Sequence, residues 1–286
     1  MAQVDPVTGF LIGYSGETVK SYRAIMYDWQ RWLSDNRLPL LRVEQVHIEA
    51  YLRCLEMDGA STNTVRNIGM VLRLFYRYCE IHGHVDRSPA EHIRLPRQYR
   101  MSTGTWLTRD EARAMLDAAA ESDPYTDALC CLYLLSGLRC SEALSLKVED
   151  VDGDVIKVAR KGHAKQAVSI SERTAAALTR AIGRKSGGYI FRSGGGRMLN
   201  KYAEQMIREL ASKVGIDKSI TPHSLRRSFC TLSRDAGVPD RDIMASGGWT
   251  SPYMLDYYDM QRAAVDRNAS TPLTDFILGK VQRKDF

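Results

Sequence analysis

Four short segments in the second half of the chain hold residue types that could work on an anionic centre. GLRCSEALSL carries Arg139, with Glu142 about one helical turn further on. RKGHAKQAVSI places Lys161 at the tip of an expected hairpin, with Lys157 and Lys165 as near neighbours. TPHSLRRSF sets His223 and Arg226 three residues apart, hence on one face of a helix. GGWTSPYMLDYYDM puts Trp249 nine residues before Tyr258, which follows Tyr257 directly. Arginine supplies a planar, permanently charged donor fork that matches phosphate oxygens. A tyrosine hydroxyl, with a pKa of ~10, is a poor nucleophile at neutral pH unless its neighbours favour the phenolate. Taken singly, each segment has a bland explanation. An Arg beside a Glu is usually a surface ion pair, a turn lysine is usually solvated, and paired tyrosines near a C-terminus usually pack.

The elements that must position these residues follow from periodicity. Residues 17–34 carry Val19, Tyr22, Ile25, Met26, Trp29 and Leu33 at helical spacing. Residues 43–57 form a second expected helix. Ser61 and Thr62 can open a third, with Val65, Ile68, Leu72, Phe75 and Tyr76 along one stripe. Residues 1–95 therefore read as an all-helical domain. LPRQYRMSTGT has no periodicity and is basic, so 96–105 is the expected linker and 106–286 the second domain. There, Thr108 and Glu111 make a capping-box signature for a helix to Ala120, and another runs from Pro124 to Ser136, ended by Gly137. Asp152-Gly153 signals a turn, Val155–Ala159 and Gln166–Ile170 read as strands, and helices return at 171–182, near 200–214 and from His223 to Arg234. The fold class is mainly α with one small β-sheet.

Composition narrows the partners. Forty Lys and Arg against 34 Asp and Glu give a formal charge of +6, which suits a polyanion without requiring one. Between Lys185 and Asp235 ten basic residues face only four acids, a density that could draw in a phosphate backbone or simply be a solvated face. No apolar run approaches the ~20 residues that cross a bilayer, and MAQVDPVTGF is no secretory signal. Six cysteines without a CxxC pair fit reduced thiols in a cytoplasm. There is no GxxxxGK[ST] loop and no clustered acidic pair of two-metal type, so neither ATP nor a metal is expected.

In order and spacing the four segments, from about Trp106 to Asp259, resemble the tyrosine recombinase (phage integrase) family, whose members carry Arg, Lys, His-x-x-Arg, His or Trp, and Tyr in that sequence. The resemblance implies that Arg139 and Arg226 hold the scissile phosphate, with Trp249 adding a neutral donor. It makes Lys161 the general acid for the leaving oxygen, His223 the acceptor of the phenol proton, and Tyr258 the nucleophile of a 3′-phosphotyrosyl link on the way to a Holliday junction. Glu142 would orient Arg139 or His223. Two features depart from the commoner pattern: Gly247-Gly248-Trp249 stands where Leu-Gly-His is frequent, and Tyr257 duplicates the nucleophile. Arg97, Arg100, Arg197, Lys201 and Arg227 are the expected DNA contacts.

The implied architecture is a C-shaped clamp, with a core-binding helical domain and a catalytic domain gripping double-stranded core attachment sites. Four copies would assemble on paired sites, the apolar tail around Phe276, Ile277, Leu278 and Val281 docking on the next protomer, with a host or phage DNA-bending protein as accessory and the bacterial nucleoid as location. The short lead before the first expected helix resembles the short integrases of mycobacteriophages, which act on core sites alone. A type IB topoisomerase and a catalytically silent DNA-binding regulator stand as alternatives.

Overall fold

The structure is a computed structural model that describes residues 5–97, 105–160 and 165–258, with Ser270, Thr274, Ile277 and Leu278 beyond them. The chain divides into two compact units, residues 1–100 and 101–286.

The first unit is helical throughout: α1 (Pro6–Ile12), α2 (Gly16–Asp35), α3 (Gln45–Met57) and α4 (Thr62–Ile81). The expected stripes point inward, with Met26, Trp29, Leu72, Phe75 and Tyr76 all buried. Burying an indole and a phenol requires partners for their polar ends. Trp29 Nε1 donates to Tyr76 Oη at 3.1 Å, and that hydroxyl donates to the Leu40 carbonyl at 2.9 Å. Periodicity does not reveal helix α1, because seven residues are too few to show a repeat. Its start is nonetheless written in the chain: Asp5 accepts from Thr8 N at 2.9 Å, and Pro6 occupies the first turn. Phe10 then packs edge-on against Phe75. After α4, Arg73 and Arg66 donate to the carbonyls of Ile93 and Pro96, holding the outgoing chain against the helices.

The second unit is built around α6 (Pro124–Leu134), with α5 (Arg109–Ala120), α8 (Glu172–Ile182), α9 (Asn200–Lys213) and α10 (Pro222–Asp235) packed on it. Residues 126–134 are buried without exception, as a helix covered on all sides must be. One of them is Asp127, 0% exposed, whose charge is met by Arg173 and by Arg180 at 3.0 Å. The Thr108–Glu111 capping box is present, with Thr108 N donating to Glu111 at 2.7 Å. Two short helices, α7 (Cys140–Leu144) and α11 (Asp240–Gly247), flank these, and residues 252–258 are helical as well.

The sheet has three antiparallel strands in the order β1 (Val151–Asp152), β2 (Val155–Ala159) and β3 (Lys165–Ser169). β3 starts one residue earlier than expected because Ala159 pairs with Lys165. Gly153, at φ +58°, makes the β1–β2 turn. A second hairpin joins β4 (Arg192–Ser193) to β5 (Gly196–Arg197). All six cysteines are free thiols, four of them buried. No helix among the described residues is long and apolar enough to cross a membrane.

Candidate active site

Helix α11 ends at Gly248, in the left-handed conformation that glycine adopts freely, and its last carbonyls have no helical partner. Three arginines from three other elements take them in succession. Arg160, at the end of β2, donates to the Ser246 carbonyl at 2.6 Å. Arg226, on α10, donates to Gly247 at 2.7 Å, and Arg139, capping α7, donates to Gly248 at 3.2 Å. The negative end of a helix dipole is a favourable seat for cations, and here it gathers residues separated by almost ninety positions into one cluster.

Arg139 and Arg226 are each fixed a second time. Arg139 donates to Glu142 Oε1 at 2.6 Å, while the other carboxylate oxygen accepts the Arg139 backbone N–H at 2.9 Å. Glu142 is 5% exposed, so its charge acts at short range on the cluster. Of the two partners that the sequence left open, its carboxylate bonds Arg139. Arg226, 3% exposed, also donates to the Gly137 carbonyl and lies under the Trp249 ring, 4.0 Å from its centroid. Burial, then the neighbouring Arg139, lowers the Arg226 pKa, yet an arginine starts so high that it stays charged at neutral pH. Trp249 is stacked in turn on Phe229, with ring planes 9° apart. Gly137, at φ +63°, permits this packing, since a side chain there would enter the Phe229 ring.

Tyr258 closes the other side. It is 6% exposed, with its ring edge-on to Trp249 at 6.0 Å and to His223 at 5.8 Å. Partial burial first, then the charges of Arg227 and Arg226, lower the His223 pKa, leaving the imidazole neutral and able to accept a proton at neutral pH. Tyr257 packs edge-on to Tyr258 at 5.8 Å. A cleft of about 910 Å³ opens beside the cluster, lined by Arg139, Glu142, Arg160, Arg197, Arg241 and Trp249 among others.

Of the residues singled out in the sequence, Arg139, Glu142, His223, Arg226, Trp249 and Tyr258 come together. Lys161 lies outside the described residues, as does Arg100. Its rival Lys165 is engaged by the buried Asp150. Arg197 is exposed at the cleft; Arg97 and Lys201 are exposed elsewhere on their units. Arg227 departs from its expected place as a DNA contact: it is 5% exposed, beneath the Tyr258 ring, because the elements packed on α10 cover it. Two participants lie beyond sequence reasoning, Arg160 and the α11 carbonyls. Arg160 is marked in the chain only as the neighbour of Lys161, and a backbone carbonyl leaves no mark in a sequence.

Residues 105–264 match the phage integrase family, and residues 11–82 match the phage integrase N-terminal SAM-like domain. The tyrosine recombinase XerD of Corynebacterium glutamicum is 26% identical over 268 residues, covering 86% of this chain and 88% of the relative. The tyrosine recombinase XerC of Xanthomonas campestris pv. campestris is 28% identical over 271 residues, covering 90% and 84%. Among solved structures, a lambda integrase tetramer bound to a Holliday junction superposes with a TM-score of 0.72 at 18% identity, over 88% of this chain and 76% of that one, a likeness of fold.

Proposed function

The chain belongs to the phage integrase family and is a tyrosine site-specific recombinase, and we propose that it cuts and rejoins DNA by transesterification at Tyr258. Tyr258 Oη attacks the scissile phosphorus, forming the Tyr–O–P bond as the P–O5′ bond breaks. The phenol proton passes to His223. The departing 5′-oxygen takes a proton from Lys161 as general acid. One phosphate ester replaces another, so the step is reversible and needs no external energy. Attack by the 5′-hydroxyl of a second strand reseals the backbone and leads through a Holliday junction.

The observation that carries this reading is the convergence of Arg139 and Arg226 on adjacent carbonyls, Gly248 and Gly247, at the edge of a cleft, with Tyr258, His223 and Trp249 grouped beside them. Donors fixed where charge develops are usually the largest catalytic contribution, about 100-fold or more for one lost donor. Trp249 offers one N–H and cannot shuttle a proton, so proton transfer falls to His223 and Lys161.

The partner is a double-stranded core site, engaged through Arg97, Arg100, Arg197 and Lys201. Four copies act on paired sites, with the tail docking on a neighbouring protomer and a DNA-bending protein assisting in a bacterial cytoplasm. The tetramer of lambda integrase at a Holliday junction supports the stoichiometry. The family match does not favour a topoisomerase or a silent regulator.

The deciding experiment uses nicked site DNA, which traps the cleaved state because the short fragment that carries the freed 5′-hydroxyl diffuses away. The protein–DNA adduct should map to Tyr258, and Tyr258→Phe should bind DNA normally yet form none. An adduct at Tyr257, or a wild-type level from Tyr258→Phe, would overturn the assignment.

A further inference from the structure

Arg227 follows Arg226 on a polar helix, yet it is enclosed. Among the described residues its Nε and Nη1, shut off from solvent, have no hydrogen-bond partner, and no described carboxylate pairs with it. A buried cation left this way is costly unless something nearby offsets it. What lies against it is the ring of Tyr258, 5.2 Å from the guanidinium carbon to the centroid. Among the described residues, the titratable and charged groups around the pair are His223 and Arg226 on α10, and Tyr257 beside Tyr258. None of these is an acid that would neutralise Arg227.

We propose that Arg227 is a positioning residue of the cleavage step, whose guanidinium seats the Tyr258 ring and holds the negative charge of its phenolate. This rests on Tyr258 being the nucleophile. A phenolate spreads charge into its ring, and a cation over the face of that ring is attracted more strongly where water is excluded. The resting state stores the opportunity: the cation has a weak partner in the neutral phenol and gains a strong one as the proton leaves. The phenol proton goes to His223, and Arg227 keeps all of its own. The same charge helps keep His223 neutral, second only to burial among the causes that lower its pKa. Arg227 thus favours the phenolate and the neutral imidazole that receives its proton, and opposes the imidazolium that results, so its help to the transfer comes through the phenolate.

The test measures single-turnover adduct formation on nicked site DNA across pH, with the full chain. Arg227→Gln should slow adduct formation by about thirtyfold at neutral pH. Arg227→Lys, which keeps the charge, should lose less. Replacing Tyr258 by 3,5-difluorotyrosine, whose phenol is far more acidic, should restore most of the rate to Arg227→Gln, because the missing stabilisation is then supplied by the ring. A structural defect would not respond to the acidity of one phenol. A normal rate and pH profile in Arg227→Gln overturns the proposal. So does a slow variant that the fluorinated ring leaves slow, or a loss confined to DNA binding. If Arg227→Gln does not fold, Arg227→Lys takes its place in the rescue: recovery with the fluorinated ring supports the role, and no recovery overturns it. Tyr258→Phe, run alongside, separates the readings: adduct from it removes the nucleophile itself, whereas its inactivity beside a normal Arg227→Gln removes only this role.

Discussion

The guanidinium of Arg160 fills the space that a side chain at Gly248 would occupy. The two residues lie 88 positions apart, on the strand side and at the end of α11, and their fit brings the stem of the Lys161 hairpin against the carbonyls that hold Arg139 and Arg226.

Gly248→Ala should therefore damage both stability and chemistry. Position 248 sits at φ +69°, unfavourable for any Cβ, and the methyl would collide with Arg160. A cost of about 1–3 kcal/mol is expected in denaturant unfolding, with a drop in adduct formation larger than the unfolded fraction explains. Full activity in a destabilised variant would separate the cap from the site.

Glu142→Gln removes the carboxylate that fixes Arg139 while keeping its shape. A loss of at least about tenfold in cleavage is expected, with DNA affinity nearly unchanged, because the arginine remains but its aim loosens. Equal loss of binding and cleavage would place Glu142 outside this role.

Cleavage should depend on pH through His223. Its pKa is lowered from the ordinary imidazole value, so the proton-accepting form persists below neutrality, and the rate should fall only once acid protonates the ring, with a midpoint under pH ~6.5. Single-turnover rates against pH locate this limb. A midpoint above that value would contradict a neutral, cation-flanked His223.

Lys161→Ala should be slow on normal DNA and recover on a substrate whose 5′ leaving group is a thiol, which departs without a proton. Lys165→Ala should show no such rescue, since that ammonium is committed to Asp150. Rescue of the second variant in place of the first would exchange their roles.

Asp127→Ala tests the core apart from the chemistry. It leaves Arg173 and Arg180 facing a vacated buried site, and unfolding should become easier by about 3 kcal/mol. Per-molecule cleavage by the folded fraction should not change.

How much of this is legible in the chain depends on whether side chains or backbone carry the signal. Caps and periodicity locate α2 to α6 and α8 to α10, because Ser61 and Thr108 do by side chain what the helix end requires and Pro124 suits a first turn. His223 and Arg226 announce themselves by helical spacing. Arg227 misleads, because its polar neighbours in PHSLRRSFCTLSRD read as a solvated face, whereas the surrounding elements bury residues 224–231 outright. α11 is too brief to show a period, and its function lies in carbonyl oxygens that every residue possesses.

The shared anchorage of Arg139, Arg160 and Arg226 means that the three cannot drift independently. A substitution anywhere along residues 240–248 that tilts this short rod would retune all of them together, without altering any of the three guanidiniums. Variation in potency among related chains would then be sought in the backbone of that stretch, well away from the charged groups that a sequence comparison inspects first.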